Sequence, residues 1–199
     1  DSSEAWKVVE TMRYGGPDGA PDELVQPIRV MTDDAGRVYI VDRQPFTIKV
    51  FDTAGVFVRT IGREGGGPGE YRVPIPAVRD GYVITHDPQQ QRTSAFDTSG
   101  RYLRSWRSSC CIWGPVALDD SGRIYVPTYI LPDSSRPLRG SAYTRYRLDG
   151  TGVDTVYLPR RPPVRWEFHW KQGGRSGASA ALVPFTPQQL YAIHPAGGF

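Results

Sequence analysis

Asparagine does not occur in these 199 residues, lysine occurs three times against twenty-one arginines, and cysteine and methionine occur twice each. Without asparagine there is no Asn-X-Ser/Thr glycosylation site in this stretch. Two cysteines build no disulfide framework and do not identify a redox compartment. No apolar run approaches the roughly 20 residues that a membrane-spanning helix needs, and no basic, apolar and small-residue signal pattern opens the chain, so it reads as soluble with no transmembrane segment. A sustained amphipathic helical period is missing as well. The net charge of +3 is modest and the basic residues are mostly dispersed, without helix-turn-helix or zinc-finger spacing, so no specific nucleic-acid partner is expected.

What is plentiful points to one class. Twenty-two glycines, eighteen prolines and eleven tyrosines, mixed with many Val, Ile and Thr, suit short strands and tight turns. The length allows one or two domains. A single all-β domain over residues 1–199 is the reading adopted.

The glycine-rich stretch GREGGGPGEYRVP, Gly62 to Pro74, resembles a phosphate cradle only superficially. Such a loop normally opens a helix, whereas Val73-Pro74-Ile75-Pro76 removes backbone donors and holds the chain extended. The loop also recurs. Shifted by 47 positions, Gly15, Gly19, Pro21, Glu23 and Pro27 fall on Gly62, Gly66, Pro68, Glu70 and Pro74. A recurring loop is read as a joint between repeated units.

The units follow at an offset of 45, which places Gly36 on Gly81, Asp42 on Asp87, Phe51-Asp52-Thr53 on Phe96-Asp97-Thr98, and Gly55 on Gly100. A third copy begins at Gly122 and reaches RLDGTG at Arg147 to Gly152, where the interval is eleven residues longer than Gly36 to Gly55. A fourth starts near Ala181. Each unit reads as four strands, with Asp and Gly in the hairpin turns, where Asp bonds its own backbone and Gly takes positive φ. Four strands per repeat of ~40 to 45 residues is the signature of a β-propeller blade. The blades are placed near 28–62, 75–107, 115–159 and 180–199, and AWKVVETMRY reads as the outermost strand of a different blade.

The stretches DxxGRVYIVD, IKVFDTAGVFVRTIG and GGPGEYRVP together resemble the NHL-repeat type of six-bladed β-propeller, particularly its bacterial extracytoplasmic members. The match is good over residues 6–106, weaker over 115–159 and slight beyond. The resemblance implies four-stranded antiparallel blades forming part of a six-bladed ring, and an extracytoplasmic location, periplasmic or secreted.

In this geometry the loops joining second to third strands share a face with the blade-to-blade connections. That face should carry Arg63, Glu64, Glu70, Arg72, His86, Asp87, Cys110, Cys111 and Trp113, the insertion 128–141 and the connection 158–178. Loops on a rigid scaffold are where binding residues gather. His86 beside Asp87 is a weak general-base candidate, because adjacent strand residues point to opposite faces. The recurrence of Asp42 and Asp87 favours a structural role. The vicinal Cys110 and Cys111 are expected not to bond each other, because neighbouring Cα atoms lie closer than a disulfide prefers. One thiol would pack inward and the other face out, or one would pair with a cysteine outside this chain.

The most distinctive segment is LPRRPPVRWEFHWKQGGRSGA, Leu158 to Ala178, where Arg160, Arg161, Arg165, Lys171 and Arg175 are interleaved with Trp166, Phe168 and Trp170. Strand alternation sets the three aromatic residues on one side. Arg and Trp are enriched where interfaces are tightest. Arg161, Arg165, Trp166 and Trp170 are therefore the leading binding candidates, with Arg63, Arg72 and His86. A bland alternative is a wide connection tucked over its own ring.

The expected function is a non-catalytic binding or scaffold propeller. It would be an accessory subunit making protein-protein contacts in an extracytoplasmic or membrane-associated complex, without cofactor or metal. Two alternatives stand beside it: a metal-dependent hydrolase or lactonase of the six-bladed kind, and a quinone-dependent oxidoreductase. The second rests on a faint resemblance of Cys110, Cys111 and Trp113 to quinone-cofactor propeller dehydrogenases.

Overall fold

The computed structural model describes residues 9–109, 113–130, 140–158 and 165–182, together with 193 and 196. Among them every regular element is a strand. The first sheet is β1 (Pro27–Thr32), β2 (Val38–Arg43), β3 (Phe46–Phe51) and β4 (Phe57–Ile61). A short parallel pair, β5 (Arg63–Glu64) and β6 (Glu70–Tyr71), lies in the following connection. The second sheet is β7 (Ile75–Arg79), β8 (Tyr82–Asp87), β9 (Arg92–Asp97) and β10 (Tyr102–Arg107). The third is β11 (Ala117–Leu118), β12 (Ile124–Ile130), β13 (Gly140–Tyr146) and β14 (Gly152–Tyr157). In all three sheets the strands neighbour one another in chain order, and all pairings are antiparallel. A separate two-stranded sheet follows, β15 (Arg165–Gln172) with β16 (Arg175–Leu182).

The continuous apolar run of β2 reflects burial on both faces. Tyr39 and Val41 pack with Ile48, Val50 and Ile61 against Tyr71, Val83 and Phe96, the latter two from the second sheet. Val38 and Ile40 point the other way, with Phe51, onto Tyr14, Leu24 and Phe57. The next inter-sheet core joins Ile75, Ile84 and Ala95 to Val116, Leu118, Ile124 and Val126. Stacked sheets sharing cores face to face explain why the runs lack the polar-out alternation of a one-sided sheet.

A bulge recurs where the third strand meets the fourth. The register shifts between Val50 and Phe51, between Tyr102 and Arg104 opposite Ala95 and Phe96, and between Arg145 and Tyr146. Phe51, Phe96 and Tyr146 are thus equivalent. Gly55, Gly100 and Gly150 close the following turns at φ 80, 88 and 89°, each donating its N–H three residues back. The structure therefore corrects the third-repeat alignment by two residues: Gly150, not Gly152, matches Gly55. Arg147 consequently stands where the other sheets carry Asp52 and Asp97.

Residues 12–14 approach the first sheet in the way that β4 approaches the second. The Arg13 carbonyl lies 3.4 Å from where a Cβ on Gly55 would sit, and the Thr60 carbonyl lies 3.6 Å from the equivalent point on Gly100. Tyr14 meets Phe51 edge-on at 5.4 Å. Residues 9–14 are not paired as a strand, and residues 1–8 lie outside the described residues.

Buried carboxylates hold the connections. Asp87 accepts the Arg72 and Val73 N–H groups on one oxygen, at 2.6 and 3.2 Å, and those of Gln89 and Gln90 on the other, at 3.0 and 3.1 Å. Asp42 does the same for Val25, Gln26 and Arg43. Asp87→Ala strips the acceptor from several backbone donors at once and is expected to lower unfolding stability by about 3 kcal/mol, measured by urea denaturation.

Candidate functional site

Asp42 and Asp87, at the loop ends of β2 and β8, draw the blade connection against the turn joining second and third strands. The glycine loop is internally satisfied. Glu70 accepts the Gly67 N–H at 2.7 Å on one oxygen and Arg63 Nε at 2.8 Å on the other. The Gly67 N–H and Arg63 hold the Glu70 carboxyl below its ordinary range. Arg92 donates to the Gly66 and Glu70 carbonyls, and Gln90 to that of Gly65. In the earlier loop Glu23 accepts the Gly19 N–H at 2.7 Å, and Lys49 donates to the Glu23 carbonyl. Each loop thus carries its own anion where a phosphate would have to sit.

Arg63 and Arg72 remain exposed on this face. His86 does not join them: it has no exposed surface. Its Nδ1 lies 3.2 Å from Ser108 Oγ and 3.4 Å from Thr93 Oγ1, and the Thr93 hydroxyl donates to Ser108 Oγ at 2.8 Å. Nε2 has no partner among the described residues. Asp87 faces the connection instead, so the two adjacent groups do not form an acid–base pair through a hydrogen bond. Burial pushes the imidazole down to about 4, against the opposing pull of the Asp87 charge, so it is neutral at pH 7.

The expected 158–178 connection is, from Arg165 onward, part of the β15–β16 hairpin: all of β15, the Gly173–Gly174 turn and the start of β16. Phe168 and Trp170 are half exposed. Trp170 pairs with Gly177, and its ring lies over that glycine, 2.6 Å from where a Cβ would stand. A side chain larger than glycine there would displace the ring. Arg165 and Trp166 lie on β15, with Trp166 in register with Ala181. Arg161 lies outside the described residues, as do Cys110 and Cys111. The insertion 128–141 proves partly regular, since β12 runs to Ile130 and β13 starts at Gly140. This exposes Tyr129, with Trp113 nearby in chain order on the preceding connection. Tyr129 was not singled out by sequence, although its place in a β-branched and aromatic run was the available signal.

Among the described residues no group of three His, Cys, Asp or Glu side chains could hold a metal ion, and no helix is long and apolar enough to cross a membrane.

Comparison with known proteins agrees with this geometry. The fold is a β-propeller of four-stranded antiparallel blades, and residues 21–105 match the family DUF5128, described as a 6-bladed beta-propeller. Among solved structures, the chain is similar to a Bacteroides fragilis protein titled as an exported protein, at 19% identity and TM-score 0.55, covering 76% of this chain and 42% of that one. It is also similar to Kuenenia stuttgartiensis hydrazine synthase, at 11% identity and TM-score 0.52, covering 84% of this chain and 49% of that one. The chain thus spans less than half of either structure, and at these identities the likeness is one of fold. No curated protein matches it.

The His86 cluster predicts a pH dependence. The folded-state value lies below the ordinary ~6.5, so the unfolded chain binds the proton first, and the stability from neutral burial is complete above pH ~6.5 and lost as pH falls toward 4. Urea midpoints should fall over that window in the wild type. His86→Gln should remove a pH-dependent component on the order of 3 kcal/mol, seen as a flatter profile.

Proposed function

We propose that this chain is a binding and scaffold propeller of the NHL-repeat type, one domain over residues 1–199. It works outside the cytoplasm as an accessory subunit holding a protein partner in a larger, membrane-associated assembly. One observation carries the reading: Phe168 and Trp170 are half exposed on a hairpin that, among the described residues, joins none of the three blade sheets. Large exposed aromatic surface is the material of interface anchors. The acids on the loop face support the same reading, because Asp42, Asp87 and Glu70 are committed to backbone N–H groups and to Arg63. The name of the Bacteroides fragilis relative supports the location.

In this reading Trp170, Trp166, Arg165 and Arg161 form the docking strip, with Arg63 and Arg72 as charged flanking contacts and no cofactor required. His86 serves the fold beneath them. Trp170→Ala should weaken binding to the partner, recovered from the natural source without overexpression, by ~2 kcal/mol or more while leaving the thermal midpoint unchanged. A lowered midpoint with unchanged association would mean that the hairpin covers its own ring. Recovery of the free chain with calcium-dependent hydrolase activity would overturn the scaffold reading.

A further inference from the structure

The face opposite the connecting loops carries two hairpin turns from each sheet, an inner one between its first two strands and an outer one between its last two. In the first sheet these turns touch: Thr53 Cγ2 is 3.1 Å from where a Cβ on Gly36 would sit. In the second, the Thr98 N–H donates to the Gly81 carbonyl at 3.1 Å. In the third, Leu148 replaces the threonine, no backbone hydrogen bond joins it to Gly122, and the gap opens into a cavity of about 460 Å³. Tyr82, Leu118, Leu148 and Val153 give it an apolar wall.

Charge changes at the same place. Asp52 and Asp97 bond the N–H groups of their own turns, whereas Arg147 occupies that position in the third sheet and lines the cavity. Asp149 takes over the turn by accepting the Thr151 N–H. Arg123 also lines the cavity. Its counterpart Arg37 is closed on Asp33 at 2.7 Å, but among the described residues neither Arg123 nor Arg147 is in a salt bridge. Of the nearby acids, Asp80 on the wall and Asp120 pair with Arg79, Asp154 pairs with Arg145 while also feeling the charge of Arg123, and Asp149 lies in the fields of Arg147 and Arg104, so each cavity arginine has an acid near it but no direct ion pair.

We propose that this cavity binds a small organic carboxylate, with Arg123 and Arg147 taking the carboxylate and the apolar wall taking a short aliphatic tail. A guanidinium fork matches a carboxylate, and the volume falls within the usual range of small-molecule sites. The repeat supplies the internal control, since two sheets close the gap that the third opens.

Hexanoate titrated into the full chain should give saturable amide shifts at Gly122, Arg123, Leu148 and Val153 in ¹⁵N-resolved NMR spectra, and hexanamide, the uncharged counterpart, should give none. Arg147→Asp combined with Leu148→Thr rebuilds the turn of the other sheets and should weaken hexanoate binding about tenfold or more. Arg123→Gln leaves the outer turn untouched and should produce a comparable loss, so the test survives if the double variant fails to fold. No saturable shift, an equal response to hexanamide, or undiminished binding in a folded variant would overturn the proposal.

Discussion

A carboxylate buried at the end of a blade's second strand is the interaction on which the rest of this structure depends. The chain must cross from one sheet to the next through a glycine-rich connection, and backbone N–H groups removed from water there need acceptors. Asp42 and Asp87 provide them, each bonding donors on the connection as well as in its own turn. Once the connection is pinned, Tyr71 can be fully buried in the core between the first and second sheets, its hydroxyl donating to the Ile61 carbonyl at 2.6 Å. Glu70 can then fold back onto its own glycine loop. The same arrangement commits Asp42, Asp87 and Glu70, leaving Arg63, Arg72 and Glu64 exposed on this face among the described residues.

The third repeat departs from this scheme on both faces. By register, Ile124 stands with Val38 and Val83, so Thr128 occupies the place of Asp42 and Asp87. The strands there run longer, and Trp113 and Tyr129 are exposed. On the turn face Arg147 and Leu148 replace an Asp–Thr pair and the turns separate. The inner positions Val38, Tyr39 and Phe51 stay apolar or aromatic in all three sheets, as Val83, Ile84 and Phe96 and as Ile124, Tyr125 and Tyr146, whereas Val41 and Ile48 give way to His86 and Thr93 in the second.

The blades were legible because two independent periods coincide: a spacing of 45 to 47 residues and, within it, Asp-Gly turns between β-rich runs. Asp52, Asp97 and the loop glutamates recur at matching positions, and each recurrence marks a backbone need that physics imposes on every copy. The candidate site was less legible. Alternation placed Phe168 and Trp170 together but could not supply their strand partner, since β16 reads RSGASAAL, a small-residue stretch with no strong strand signal. His86 looked like a loop-face residue because its burial depends on Thr93 and Ser108, seven and twenty-two positions away. The cavity was hidden by an alignment on Gly152, two residues off, which concealed the exchange of Asp for Arg.

Hydrogen–deuterium exchange on the chain, free and within its natural assembly, shows whether the β15–β16 hairpin is the docking element proposed above. Docking there slows exchange in residues 165–182 on assembly, while the amides of β2, β3, β8 and β9 exchange equally in both states. Unchanged exchange across 165–182, with new protection elsewhere on the propeller, would contradict it.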